Sequence, residues 1–207
     1  LGNYHSCALL TDGSVQCWGK NEDGQLGNGS TDDSAEPVTV TDIGPSYFLA
    51  EEVASGSTHT CALMENSTVQ CWGNGYDTIP VAVAVIDGSD EAHSATAICS
   101  GLDFSCAEMA DQSIACWGEG SAGQLGDGTA TDSALPFYVS GITSAIDVDC
   151  GTNHACALLD DGTMRCWGEG SSGELGDGLS TDSYTPVTVS VIDASASDGS
   201  LTAVEIA

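Results

Sequence analysis

The stretch HSCALLTDGSVQCWG at residues 5–19 places two cysteines ten positions apart around the tripeptide Thr11-Asp12-Gly13. Cys7-Ala8-Leu9-Leu10 and Val15-Gln16-Cys17-Trp18 have the composition of short strands, and the polar tripeptide between them has that of a turn. A three-residue loop with Gly13 at positive φ makes a type I turn with a G1 bulge. Counting outward sets Leu10 opposite Ser14, Leu9 opposite Val15, Ala8 opposite Gln16 and Cys7 opposite Cys17. Facing residues on antiparallel strands lie about 4.5–5.5 Å apart, which suits a disulfide.

The stretch recurs. HTCALMENSTVQCWG starts at His59, FSCAEMADQSIACWG at Phe104 and HACALLDDGTMRCWG at His154, each three residues after a glycine (Gly2, Gly56, Gly101 and Gly151 mark the phase). A second phrase follows in three units: DGQLGNGSTDDS from Asp23, AGQLGDGTATDS from Ala122 and SGELGDGLSTDS from Ser172. Unit two lacks it and runs from Gly73 through Asn74-Gly75-Tyr76 to Ile79-Pro80-Val81. All four tryptophans (Trp18, Trp72, Trp117, Trp167) stand in a Cys-Trp-Gly tripeptide. Units of about 50 residues, each with about four short strands, predict an all-β fold of four tandem β-propeller-type blades. Such a chain is an arc of a larger propeller or repeat array, one repeat domain with units 1–54, 55–99, 100–149 and 150–207. Units two and three carry Ser67 and Gln112 where the turn glycine stands, so their loops are expected to differ in detail.

Eight of the ten cysteines obey one spacing: Cys7/Cys17, Cys61/Cys71, Cys106/Cys116 and Cys156/Cys166. His5, His59 and His154 stand two residues before the first cysteine of their pairs, so a zinc site competes with a disulfide. Unit three favours the disulfide, because Phe104 replaces the histidine while Cys106 and Cys116 both remain. Cys99 and Cys150, in the strands leading into units three and four, are expected to pair with each other despite a one-residue difference in phase. Such cysteine usage points to an oxidising compartment, secreted or on a cell surface.

With 31 Asp and Glu against two basic residues, Lys20 and Arg165, the net charge is −29. That excludes a nucleic-acid binder, which needs cations to displace phosphate counterions, and opposes docking on anionic lipid. No apolar run approaches a membrane span, so no membrane insertion is expected. The chain starts at Leu1 with no recognisable signal segment, as expected of a mature or partial chain.

The phrases resemble the regulator of chromosome condensation repeat family. Gly2, His5, Ala8, Leu9, Asp12, Gly13, Val15, Trp18, Gly19, Gly24, Gln25, Leu26 and Gly27 fit its pattern in unit one. The likeness covers the whole chain, is strong in units one and four and weak in the second half of unit two. The cysteine pair flanking the hairpin resembles the secreted prokaryotic branch of such repeats. The resemblance implies a blade of four antiparallel strands and usually a seven-bladed ring. The family's nucleotide exchange on a chromatin-bound GTPase does not carry over, since the acidic surface and the cysteine pairs oppose it. The short unit two looks like the blades of secreted propeller inhibitors of β-lactamase.

Candidate sites each have a plainer reading. The three histidines could ring a channel, but an imidazole wedged in a blade core and hydrogen-bonded to neighbouring backbone accounts for them, and Phe104 at the same place fits packing. No nucleophile triad or phosphate loop is present, so an enzyme is not expected. Asp127, Asp132, Asp177 and Asp182 sit with hydroxyls in tight loops that suit Ca²⁺, the one cofactor the sequence suggests; Asx-turn chemistry explains the same residues. Asn28 and Asn66 head glycosylation sequons.

The expected function is that of an extracytoplasmic, non-catalytic scaffold, a segment of a surface polymer, filament or adhesin. Its partner would be itself, head to tail: residues Leu201 to Ala207 align with Phe48 to Ala54, so Ala207 running on into Leu1-Gly2 keeps the repeat in phase. The alternative is a secreted protein-binding propeller, such as an enzyme inhibitor or receptor-like module.

Overall fold

The computed structural model describes residues 1–43, 49–84, 86, 88–90 and 93–190. Among the described residues fifteen strands form four antiparallel sheets, and there is no α-helix. No helix there is long and apolar enough to cross a membrane. Blade one holds β1 (His5–Leu9), β2 (Val15–Gly19) and β3 (Ser34–Thr39). Blade two holds β4 (Ala50–Ser55), β5 (His59–Met64), β6 (Val69–Gly73) and β7 (Val81–Ala82). Blade three holds β8 (Ala95–Ser100), β9 (Phe104–Met109), β10 (Ile114–Gly118) and β11 (Ser133–Tyr138). Blade four holds β12 (Ala145–Cys150), β13 (His154–Leu159), β14 (Met164–Gly168) and β15 (Ser183–Thr188).

The sheets are cut one strand earlier than the sequence units. β4, β8 and β12 lie before the phase glycines Gly56, Gly101 and Gly151, yet each pairs with the hairpin that follows it. Blade one has three described strands for that reason, and one edge of β1 has no described strand beside it. The residues aligned with such a strand at the far end of the chain, Leu201 to Ala207, lie outside the described residues.

The first hairpin has the register counted from its turn: Leu9↔Val15, Ala8↔Gln16 and Cys7↔Cys17. The expectation that the turns of units two and three differ was wrong. Ser67 and Gln112 adopt φ of 62° and 66°, beside 76° for Gly13 and 79° for Gly162. Their N–H groups reach back to Met64 and Met109 carbonyls as that of Gly13 reaches Leu10. An Asx side chain holds each turn: Asn66 Oδ1 accepts from Thr68 N–H at 3.3 Å and Asp111 Oδ1 from Ser113 N–H at 3.1 Å, as Asp12 does for Ser14.

Blades stack through their first strands, β1 on β4, β4 on β8 and β8 on β12. The cores lie between sheets. Val15, Cys17, Leu26, Ala62, Met64 and Trp72 form one cluster at the first junction, and Ile114, Leu125, Val148, Ala157 and Trp167 belong to another at the third. The phase glycines run along the inner edge in mutual contact: a Cβ on Gly56 would stand 2.6 Å from the Gly101 carbonyl, and one on Gly101 the same distance from that of Gly151. Ala or any larger residue there would force blades apart.

Candidate functional site

The junctions between blades are where this chain's chemistry-bearing residues meet. At the first junction His5 Nε2 and Thr60 Oγ1 are 2.8 Å apart, and Thr60 Oγ1 donates to the Gln25 carbonyl at 3.2 Å. Because Thr60 directs its one hydroxyl proton to Gln25, His5 Nε2 is the donor. At the second, His59 Nε2 is 2.8 Å from Ser105 Oγ. The partner in each case is a side-chain hydroxyl of the next blade, where neighbouring backbone was expected. Phe104 and Ala155 stand at the corresponding two positions of the third junction, in one apolar cluster. Burial lowers both His5 and His59 to about 4, so each imidazole is neutral near pH 7. The histidine and hydroxyl change together along the chain. The signal for this pairing lies in the second residue of each phrase (Thr60, Ser105, Ala155), a position that the repeat pattern alone does not single out.

The second phrase of units one and three is a lid on the next blade. The Gln25 carbonyl accepts from Trp72 Nε1 at 2.9 Å, and the Gln124 carbonyl from Trp167 Nε1 at 2.9 Å. Leu26 and Leu125 are fully buried beneath these loops. Gly27 and Gly126, at φ of 67° and 65°, pass so close that a Cβ would meet the indole of Trp72 or Trp167 at 2.8–3.0 Å. Blade two has lost the phrase, and at its junction with blade three Trp117 Nε1 donates to Tyr76 Oη at 2.6 Å. Burial raises the Tyr76 hydroxyl to about 12, which keeps it protonated. Where the lid would lie is an open cleft of about 460 Å³, within the size range of ligand sites. His59, Tyr76, Asp103, Trp117, Glu119 and Asp132 are among its walls.

The ten cysteines form five disulfides: Cys7–Cys17, Cys61–Cys71, Cys106–Cys116 and Cys156–Cys166 within hairpins, and Cys99–Cys150 between blades three and four. Among the described residues the one group of three metal-type ligands is the sulfurs of Cys99, Cys106 and Cys150, all within 4.8 Å, and these are disulfide sulfurs. The acidic loops do not gather such a group. Asp127 and Asp177 each close an Asx turn on the N–H of Thr129 and Leu179, both at 2.8 Å. Asp132 and Asp182 hold the N–H groups of Gly120 and Gly170 at 3.0 Å. Asn28 Oδ1 accepts from Ser30 N–H at 3.1 Å, and Asn66 lies half-buried in the β5–β6 turn.

Comparison with known proteins places these features in a family. A family model described as "Regulator of chromosome condensation (RCC1) repeat" matches residues 12–63 and 114–158, and a second of the same description matches 51–77 and 145–174. The Ultraviolet-B receptor UVR8 of Arabidopsis thaliana is 38% identical over 74 residues, 36% of this chain and 16% of the receptor. The human E3 ubiquitin-protein ligase HERC2 is 34% identical over 74 residues, 36% of this chain and 2% of the ligase. Among solved structures, human WBSCR16 superposes with a TM-score of 0.80 at 23% identity, over 92% of this chain and 52% of that one. Prp20p from Saccharomyces cerevisiae gives 0.81 at 21% identity, over 94% and 50%. The chain thus spans about half the length of these structures, and they share its fold.

Proposed function

The chain belongs to the regulator of chromosome condensation repeat family, and on that premise we propose that it is an extracytoplasmic, non-catalytic scaffold whose blades add head to tail onto neighbouring blades. Underlying this is a protein-interaction module built of propeller repeats. Prp20p, which shares the fold, has binding properties to Gsp1p and histones; this chain's acidity argues against a nucleic-acid partner. Five disulfides support an oxidising compartment.

One observation carries the assembly. The leading face of blade one is uncovered where the same face of the later blades is buried. Leu10 is 38% exposed, while its counterpart Met64, packed against blade one, is 1% exposed. Trp18 is half-buried, whereas Trp72, Trp117 and Trp167 are sealed. An added blade would supply what β1 and Trp18 lack among the described residues, a strand along the open edge and a lid over the indole. Blade four carries such a lid in Ser172 to Gly176, with nothing beyond it among the described residues to cover. A head-to-tail contact of this kind closes a ring or runs on as a filament, depending on its rotation. The secreted inhibitor or receptor-like module is the second reading, favoured by the open cleft of the shortened blade two. Negative-stain imaging of the purified chain tests the assembly: rings or fibres support it, and isolated four-blade particles overturn it.

A further inference from the structure

The lid missing from blade two leaves a cleft that the chain itself does not fill, and we propose that it receives an arginine side chain presented on a loop of a partner protein. At the other two junctions the space is closed by the chain's own loop tips, Gln25-Leu26 and Gln124-Leu125, lying over Trp72 and Trp167. Tyr76 replaces that loop as hydrogen-bond partner of Trp117 without filling its volume, so about 460 Å³ stays open.

The walls define the chemistry of the occupant. Asp103, Glu119 and Asp132 come from three separate segments: the loop before β9, the residue after β10 and the residue before β11. Each gives one oxygen to the protein, Asp103 Oδ1 to Thr58 Oγ1, Glu119 Oε1 to Ser121 Oγ and Asp132 Oδ1 to Gly120 N–H. No Lys or Arg lines the cleft, since Lys20 is paired with Glu22 at 2.8 Å in blade one and Arg165 lies on β14. His59 in the wall is neutral near pH 7 and cannot compensate the carboxylates. The half-buried Tyr76 adds aromatic surface, with Trp117 sealed behind it and hydrogen-bonded to its hydroxyl. A guanidinium suits this lining better than an ammonium, because it is weakly hydrated, stacks on rings and donates from a planar fork to carboxylates. An anionic occupant would be repelled by the three carboxylates, and a purely aliphatic one would gain nothing from them.

The assignment deepens the protein-interaction reading and rests on it. Its test reads one junction inside the arc and succeeds or fails whatever the assembly does. The ¹⁵N-labelled chain is titrated with N-acetyl-arginine amide and, separately, with N-acetyl-citrulline amide, its uncharged isostere, while the four indole N–H cross-peaks are followed. The Trp117 cross-peak should shift saturably with the arginine probe and bind the citrulline probe about threefold or more weakly. Glu119→Gln should weaken the arginine response by about threefold, and Glu36→Gln, an exposed charge change on β3 of blade one, should leave it unchanged. Equal binding of both probes, equal loss in both variants, or shifts spread over all four indoles would show only diffuse attraction to an acidic surface and would overturn the proposal. So would the absence of any saturable Trp117 shift.

Discussion

His59 Nε2 and Ser105 Oγ, 2.8 Å apart, tie blade two to blade three, and one junction further on the same two positions are Phe104 and Ala155. The polar pair and the apolar pair are alternative solutions to one packing problem. Replacing His59 by Phe alone confronts a ring with the Ser105 hydroxyl, and should cost about 1–3 kcal/mol in a buried site. The double variant His59→Phe/Ser105→Ala should recover about 1 kcal/mol of that in urea unfolding. Strict additivity of the two single changes would show that the positions are not coupled.

Acid should loosen the junctions. His5 and His59 are held near 4 by burial, below the 6.5 of an exposed imidazole. The unfolded chain therefore takes up protons that the folded chain refuses as pH falls from about 6.5 to about 4. Stability conferred by the neutral imidazoles is intact above pH 6.5 and declines across that window, by about 3 kcal/mol for each fully buried histidine at most. Urea unfolding at a series of pH values checks this, and a His5→Gln/His59→Gln variant should flatten the decline. An equally steep decline in that variant would assign it to carboxylates.

The turn residues Ser67 and Gln112 hold a left-handed backbone that glycine holds in the other two hairpins. Ser67→Gly and Gln112→Gly should each stabilise by about 0.5–1 kcal/mol, since relief of the Cβ contact outweighs the entropy of the freer unfolded chain. Thermal melts read the gain directly, and a lower melting temperature for both would refute it.

What the sequence made legible, and what it hid, divides along local and non-local physics. The Cys7–Cys17 register followed from counting outward from one turn, because strand pairing across a short loop is fixed by the loop. The phrase count and the strand period announced the blades. The turns at Ser67 and Gln112 were misjudged because a missing glycine was weighed without the Asx side chains of Asn66 and Asp111 that hold the conformation. The junction chemistry needed the structure. Nothing in unit one says that Gln25 lends its carbonyl to a tryptophan 47 residues away, or that the loss of a phrase opens a cleft between two later strands.

The disulfides should differ in strength. On the chain-entropy model, Cys99–Cys150, spanning 51 positions, contributes about 4 kcal/mol, and a hairpin pair spanning ten contributes about 3. Paired replacement by alanine should rank them in that order. Non-reducing peptide mapping should recover Cys99 linked to Cys150. Recovery of Cys99 linked to Cys106, whose sulfur lies within 4.8 Å, would contradict that pairing.

Salt and chelators separate screening from bound cations. A net charge of −29 over 9670 Å² of surface leaves charges about 18 Å apart, beyond screening range at physiological salt but well within it at 10 mM. The melting temperature should rise from about 10 to about 200 mM NaCl. With Asp127 and Asp177 engaged in Asx turns, EDTA should leave it unchanged at fixed ionic strength. A fall on chelation would assign Ca²⁺ to those loops and return Asp132 and Asp182 to the ligand set.

Light scattering of the purified chain across micromolar concentrations tests head-to-tail addition most directly. The exposed face of Leu10 and Trp18 predicts a mass that grows with concentration, and Leu10→Glu on that face should shift the distribution back toward single chains. A uniform 20.9 kDa species at every concentration would contradict the assembly.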